Sequence, residues 1–112
     1  MKEFMEYLES KISEGKAEIL TLEADGRRDD ANFAKVRTNI YDICRTISRA
    51  LSDKPGAGIV AIKGQLDRFR TVWGAALEKA KRHEDISAVA VEETKLAALE
   101  DIVAHFPEVT GE

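Results

Sequence analysis

The stretch that decides the fold is residues 59–80, which read IVAIKGQLDRFRTVWGAALEKA. Apolar and small side chains recur in it at alternating steps of three and four, a heptad pattern that lies on one face of an α-helix. The positions are Ile59, Ile62, Leu66, Phe69, Trp73, Ala76 and Ala80. Val60, Val72 and Leu77 widen this face into the stripe of a helix with two neighbours. The pattern predicts a long helix at the centre of the core.

Heptad patterns in the rest of the chain predict three more helices, separated by turn signals. Gly26 suits the left-handed position that follows the first helix, and Asp29 or Asp30 can cap the second. Pro55 and its neighbouring glycines break the chain before the third helix. The predicted helices span residues 2–24, 31–52, 58–82 and 87–105.

Four helices of this length, joined by short loops, predict an all-α, antiparallel up-down-up-down four-helix bundle. It forms one domain over residues 1–106, followed by a tail at 107–112. A helical hairpin that completes its core by dimerising is the main alternative. Gly15 lies on the apolar face of the first helix, which predicts a close approach by a neighbouring helix, opposite a bulky ring.

Composition predicts a cytoplasmic protein that does not enter a membrane. The only cysteine, Cys44, excludes an internal disulfide and is expected to be a small buried hydrophobic residue. The amino terminus is acidic and amphipathic, unlike a secretory signal. The longest uncharged run, residues 55–62, is far too short to cross a bilayer.

No residue set predicts catalysis, cofactor binding or metal binding. The Glu-x-x-His pairs of di-metal bundles do not occur in the sequence. His83 and His105 end different helices and are expected at opposite poles, where each complements the negative end of its helix. Neither Cys44 nor any serine has a histidine at helical spacing within the same predicted helix. An enzyme is therefore the third-ranked interpretation.

The charge is segregated along the chain. Residues 27–82 carry 13 basic and 6 acidic side chains, whereas residues 1–26 have a net charge of −4 and residues 83–112 a net charge of −7. A basic surface would bind nucleic acid, another anion or an acidic partner, whereas bridging between basic and acidic helices would neutralise it. The predicted basic patch is Arg27, Arg28, Arg45, Arg49, Lys81 and Arg82. Nucleic-acid binding is judged unlikely, because the whole chain is acidic and no aromatic residues alternate with the arginines.

Small residues lie away from the apolar face of the third helix and mark a possible interface. Two exposed glycines in a helix cost about 2 kcal/mol relative to alanine, a cost that is either simply tolerated or offset by close packing of a helix from another chain. The residues are Val60, Gly64, Thr71, Gly74 and Ala75. The favoured function is therefore a non-enzymatic interaction module that contacts itself or another protein. The alternative is a nucleic-acid or anion-binding regulator that uses the basic side of the second and third helices.

Overall fold

A computed structural model describes residues 2–51 and 58–107 of the chain. It contains four α-helices and, within those two ranges, no strand. The helices are α1 (Lys2–Ala24), α2 (Arg28–Leu51), α3 (Gly58–Arg82) and α4 (Ile86–His105). The predicted all-α four-helix bundle is confirmed. The turn predicted before the third helix, at residues 52–57, and the tail beyond Pro107 lie outside the described residues.

The helices form two hairpins. α1 packs mainly on α2, and α3 packs mainly on α4. α2 also contacts α4 extensively and α3 to a smaller extent, so α2 touches all three other helices. The prediction that the third helix is the centre of the core is wrong, because α2 holds that place and α3 lies at an edge. The up-down-up-down order remains a prediction.

The molecule is flatter than a closed four-helix bundle. Its Cα atoms extend over 45 × 35 × 19 Å. Four helices about 8–10 Å apart in a square would measure roughly 15–20 Å across in both short directions. All four helices nevertheless contribute to one buried cluster, so the two hairpins share a core.

The core lies at one end of the molecule. Its buried side chains come from the first halves of α1 and α3 and from the second halves of α2 and α4. They are Phe4, Leu8, Ile12, Ile40, Tyr41, Cys44, Ile62, Leu66, Ala98, Leu99 and Ile102. Cys44 is only 1% exposed, and burial raises the pKa of its thiol to about 12, as fits the small buried hydrophobic residue that was expected. α4 is apolar on opposite sides because it packs between α2 and α3.

The α1–α2 hairpin closes tightly at Gly15. A Cβ atom added there would lie 2.1 Å from Thr38 Oγ1, which is far inside van der Waals contact. Thr38 is buried, and its hydroxyl donates a hydrogen bond of 2.7 Å to the carbonyl of Ala34. The close approach predicted at Gly15 is confirmed, but the residue opposite Gly15 is a threonine and not an aromatic residue.

In the turn of the first hairpin, Gly26 has the left-handed conformation that the sequence predicted. Gly26 has a φ of +73°, and its amide donates to the carbonyl of Glu23 while the Arg27 amide donates to that of Leu22. These two bonds satisfy carbonyls at the end of α1. The prediction that Asp29 or Asp30 caps the second helix is wrong: the tight turn starts α2 at Arg28, so both aspartates lie inside its first turn.

The turn of the second hairpin repeats this hydrogen bonding without a glycine. Glu84 has a φ of +54°, and its amide donates to the Lys81 carbonyl at 3.1 Å. The next residue, Asp85, caps α4 by accepting a hydrogen bond from the Ala88 amide at 3.1 Å. A non-glycine residue in this region of φ is strained.

Candidate functional site

The structure leaves part of the apolar stripe of α3 uncovered. The four buried residues of this helix are Gly58, Ile62, Leu66 and Ala80. Towards its carboxyl end Phe69, Trp73 and Ala76 are half-buried, and Val72 is 54% exposed. We call Phe69, Val72, Trp73 and Ala76 the open face of α3. These residues are spaced i, i+3, i+4 and i+7, so they form one continuous surface on the helix.

The aromatic pair in the open face is ordered by stacking. The rings of Phe69 and Trp73 lie 4.8 Å apart between centroids and are nearly parallel, at 6°. The Lys95 ammonium of α4 lies 5.1 Å from the centre of the Trp73 ring, within range of a cation–π interaction. Lys95 also pairs with Glu92 at 3.1 Å. The pair packs against the core cluster, remains partly exposed, and is contacted by Lys95 of α4.

The predicted interface residues lie on the nearly opposite side of the same helix. Val60 is 58% exposed, and Gly64, Thr71 and Ala75 are exposed as well. No atom would come within 4 Å of a Cβ added at Gly64 or Gly74. We call Val60, Gly64, Thr71, Gly74 and Ala75 the glycine stripe. Within residues 2–51 and 58–107 nothing packs against its two glycines, in contrast to Gly15.

The basic residues of α2 face the acidic residues of α1. Arg45 and Arg49 both contact the Glu9 carboxylate, at 3.0 and 2.6 Å. Further along the same interface Lys35 pairs with Glu23 at 2.9 Å, and Arg37 pairs with Glu18. This arrangement fits bridging between oppositely charged helices. The geometry therefore does not support the hypothesis that the basic side of helices 2 and 3 binds nucleic acid.

The remaining members of the predicted basic patch lie at the turns. Arg27 pairs with Asp30 at 2.6 Å within the first hairpin. Lys81 lies 3.8 Å from Glu78 within the second hairpin. Arg28 and Arg82 are exposed. The nearby acidic partners reduce the positive potential that these side chains could present.

A polar cluster that joins three helices was not predicted from the sequence. The Asp101 carboxylate on α4 accepts hydrogen bonds from the hydroxyls of Tyr7 on α1 and Tyr41 on α2, the second at 2.7 Å. The His105 ring stacks on Tyr7 with 4.0 Å between centroids, and its Nδ1 lies 2.8 Å from the Asp101 carbonyl. His105 therefore contacts a terminal carbonyl of α4, as was expected.

The pKa values in this cluster follow from burial and from the two tyrosine hydrogen bonds. Burial and the hydrogen bond to Asp101 raise the pKa of Tyr41 to about 12 and that of Tyr7 well above its ordinary value. Burial alone would raise the pKa of Asp101, but the hydrogen bonds from both tyrosines lower it. The cluster holds a charged carboxylate and two neutral phenols in place, a structural role that joins the hairpins.

A cleft of about 350 Å³ lies between the first turns of α2 and α4. Its polar residues, Asp29, Asn32 and Ser87, surround the apolar side chains of Phe33, Val36 and Val91. No histidine or cysteine lines it, so the cleft does not assemble the nucleophile–base pair that catalysis by Ser87 would need.

Neither a metal site nor a membrane-spanning helix is found in the described part of the chain. Across residues 2–51 and 58–107, no three His, Cys, Asp or Glu side chains are grouped so that they could hold a metal ion. In the same ranges no helix is both long and apolar enough to cross a membrane.

Comparison with known proteins does not assign this chain to a family. No protein-family model, curated protein sequence or solved structure matches it. The function must therefore be argued from the surfaces described above.

Proposed function

We propose that this protein is a small non-enzymatic interaction module that binds a protein partner through the exposed sides of α3. The observation that carries the proposal is the half-covered apolar stripe of this helix, where Phe69 and Trp73 are half-buried and Val72 is 54% exposed. A contiguous apolar surface bordered by polar residues is typical of a protein-binding site.

The width of the stripe supports the same proposal. A helix that packs on one neighbour needs a narrower apolar face than one that packs on two. α4 covers α3 along most of its length, whereas α2 contacts α3 to a small extent and α1 does not contact it in the described part of the chain. The sequence of α3 therefore suits a second neighbour beside α4, which α2 provides only in part within the described residues.

Site-specific photo-cross-linking in the native cells tests the proposal. A photoreactive amino acid replaces Val72 in the open face, Gly64 in the glycine stripe or, as a control, Leu20 on α1. Leu20 is also a large, exposed apolar residue, at 70%. We expect a covalent protein adduct from position 72 or 64 and much less from position 20. Equal yields at all three positions would contradict the proposal.

A further inference from the structure

We infer that the cleft between the first turns of α2 and α4 binds a small organic amine, whose ammonium group contacts the rim and whose apolar body lies inside. The inference goes beyond the proposed function, because in the described part of the chain no residue of α3 lines this cleft. Its volume of about 350 Å³ is at the small end of the range of about 300–1,000 Å³ that is typical of ligand sites. The cleft therefore suits a ligand with a single ring.

The interior of the cleft offers an apolar surface to the body of the ligand. Phe33 and Val36 lie one turn apart on α2, and Val91 contributes from α4. All three side chains are half-buried, so a ligand that covers them removes apolar surface from water. The core cluster takes its residues from the second halves of these two helices, whereas the cleft lies between their first halves. A ligand can therefore enter the cleft without displacing the core.

The rim of the cleft carries oxygen atoms that accept hydrogen bonds from an ammonium group. They belong to the Asp29 carboxylate, the Asn32 side-chain amide and the Ser87 hydroxyl. Within the described residues no Lys, Arg or His lines the cleft, so a phosphate or carboxylate ligand would meet no cationic side chain there. Phe33 follows Asp29 by about one turn of α2, and an aromatic ring beside a carboxylate favours an organic cation.

The Asp29 carboxylate is not engaged by another side chain of the described residues. Asp30 beside it, in contrast, pairs with Arg27 at 2.6 Å. The amino-terminal end of each helix carries roughly half a positive charge, which the full charge of Asp29 on α2 and of the cap Asp85 on α4 exceeds. Arg28 is exposed and does not line the cleft. The charges at the rim therefore favour a cation over an anion.

Nuclear magnetic resonance titration of the isotope-labelled full chain tests this inference with three probes. Phenethylamine has both the ammonium group and one ring, hydrocinnamate has a carboxylate in place of the ammonium group, and ethylamine lacks the ring. Shifts of the backbone amide signals locate the binding site, and their saturation gives the dissociation constant. Asp29→Asn removes the charge at the rim with little change of shape. Asp30→Asn is the matched control, because it removes the same charge from a neighbouring residue that does not line the cleft.

The expected result is saturable binding of phenethylamine, with amide shifts concentrated at Asn32, Phe33, Val36 and Val91. Hydrocinnamate and ethylamine should give no saturable shift in the same millimolar range, because the first lacks the charge and the second the apolar body. Asp29→Asn should raise the dissociation constant for phenethylamine about 5- to 10-fold, since the ammonium group loses a charge-assisted hydrogen bond. Asp30→Asn should leave it nearly unchanged.

Three outcomes would overturn the inference. Phenethylamine shifts that do not saturate, or that fall on residues outside the cleft, would show that the cleft is not a site for it. Hydrocinnamate that binds as tightly as phenethylamine would exclude an amine as the class of ligand. Equal losses of affinity in Asp29→Asn and Asp30→Asn would assign the effect to the overall charge at this end of the molecule. The proposed function is tested separately, because cross-linking at positions 72 and 64 concerns α3 alone.

Discussion

The two helical hairpins of this protein use glycine in opposite ways. In the α1–α2 hairpin, Gly15 lets Thr38 approach so closely that no larger residue fits. In the α3–α4 hairpin, Gly64 and Gly74 face open space. The first hairpin is also held by ion pairs along its length, whereas α3 reaches α4 through one such pair, in which Arg70 binds Glu100 with two nitrogen atoms. The difference teaches that the first hairpin closes tightly on its own helices, whereas the two glycines of α3 meet no other atom among the described residues.

The largest expected loss of stability comes from truncating a buried side chain of the first hairpin. Truncating one ring of the aromatic pair in the second hairpin should cost less. Leu8 is fully buried, so Leu8→Ala should lower the free energy of unfolding by about 2–5 kcal/mol. Phe69 is half-buried, so Phe69→Ala should cost only about 1–2 kcal/mol in the monomer although it removes more atoms. Urea unfolding at low protein concentration measures both. A loss for Phe69→Ala equal to that for Leu8→Ala would show that α3 is fully covered.

The glycines provide the next comparison. Gly15→Ala should destabilise the protein by about 1–3 kcal/mol, because the added methyl overlaps Thr38. Gly64→Ala should stabilise the monomer by about 0.5–1 kcal/mol, because alanine favours the helix and nothing obstructs it. Thermal or urea unfolding of the two variants gives the signs. Destabilisation by Gly64→Ala in the monomer would contradict the open space above that residue.

The polar cluster of Asp101, Tyr7 and Tyr41, which joins the hairpins, should make the free energy of unfolding depend on pH. Because the folded-state pKa of Asp101 is lowered, its contribution is fully present above its unfolded pKa of about 3.9 and is lost as the pH falls through the folded value. Replacing Tyr7 or Tyr41 by Phe removes one hydrogen bond to this carboxylate and should cost about 1 kcal/mol at pH 7.

Unfolding curves between pH 7 and pH 3 test the assignment of this acid dependence. The double variant Tyr7→Phe/Tyr41→Phe should lose less stability than the wild type over that range, because its Asp101 has little pKa shift left to lose. An unchanged acid dependence in the double variant would assign the effect to other carboxylates.

The smallest effects come from the two turns, which share one hydrogen-bonding pattern. Glu84→Gly should stabilise the second hairpin by about 0.5–1 kcal/mol, since glycine adopts a φ of +54° without strain. Gly26→Ala should destabilise the first hairpin by about 1 kcal/mol for the same reason, at a φ of +73°. The melting temperature should rise in Glu84→Gly and fall in Gly26→Ala. A shift in the same direction in both variants would contradict this explanation.

The sequence predicted individual helices better than their arrangement. The bounds of α1 and α3 coincide with those predicted, and Gly26 ends α1 as expected, because each depends on residues close together in the chain. The apolar stripe of α3 showed which side is buried but not which helices cover it, so α3 was wrongly placed at the centre. The width of an apolar stripe indicates how many helices pack against it, but not whether those helices belong to the same chain.

The polar cluster could not be predicted because its members are distant in sequence. Asp101 is 94 residues from Tyr7 and 60 from Tyr41, and no local spacing connects an aspartate to a tyrosine on another helix. The glycine stripe was recognised, because small residues off an apolar face are visible in the sequence. The open face was not recognised, because Phe69 and Trp73 look like ordinary core residues until the structure shows that they are half covered.

The measurement that tests the central claim most directly is acrylamide quenching of Trp73, the only tryptophan, in the wild type and in Val72→Glu. If α3 is open in one chain, the ring should be readily quenched in both proteins at the lowest concentration, and protection of the wild type should appear only where a partner covers the open face. Equal and strong protection in both proteins at the lowest concentration would mean that one chain already covers Trp73, and the account of a partly uncovered α3 would be wrong.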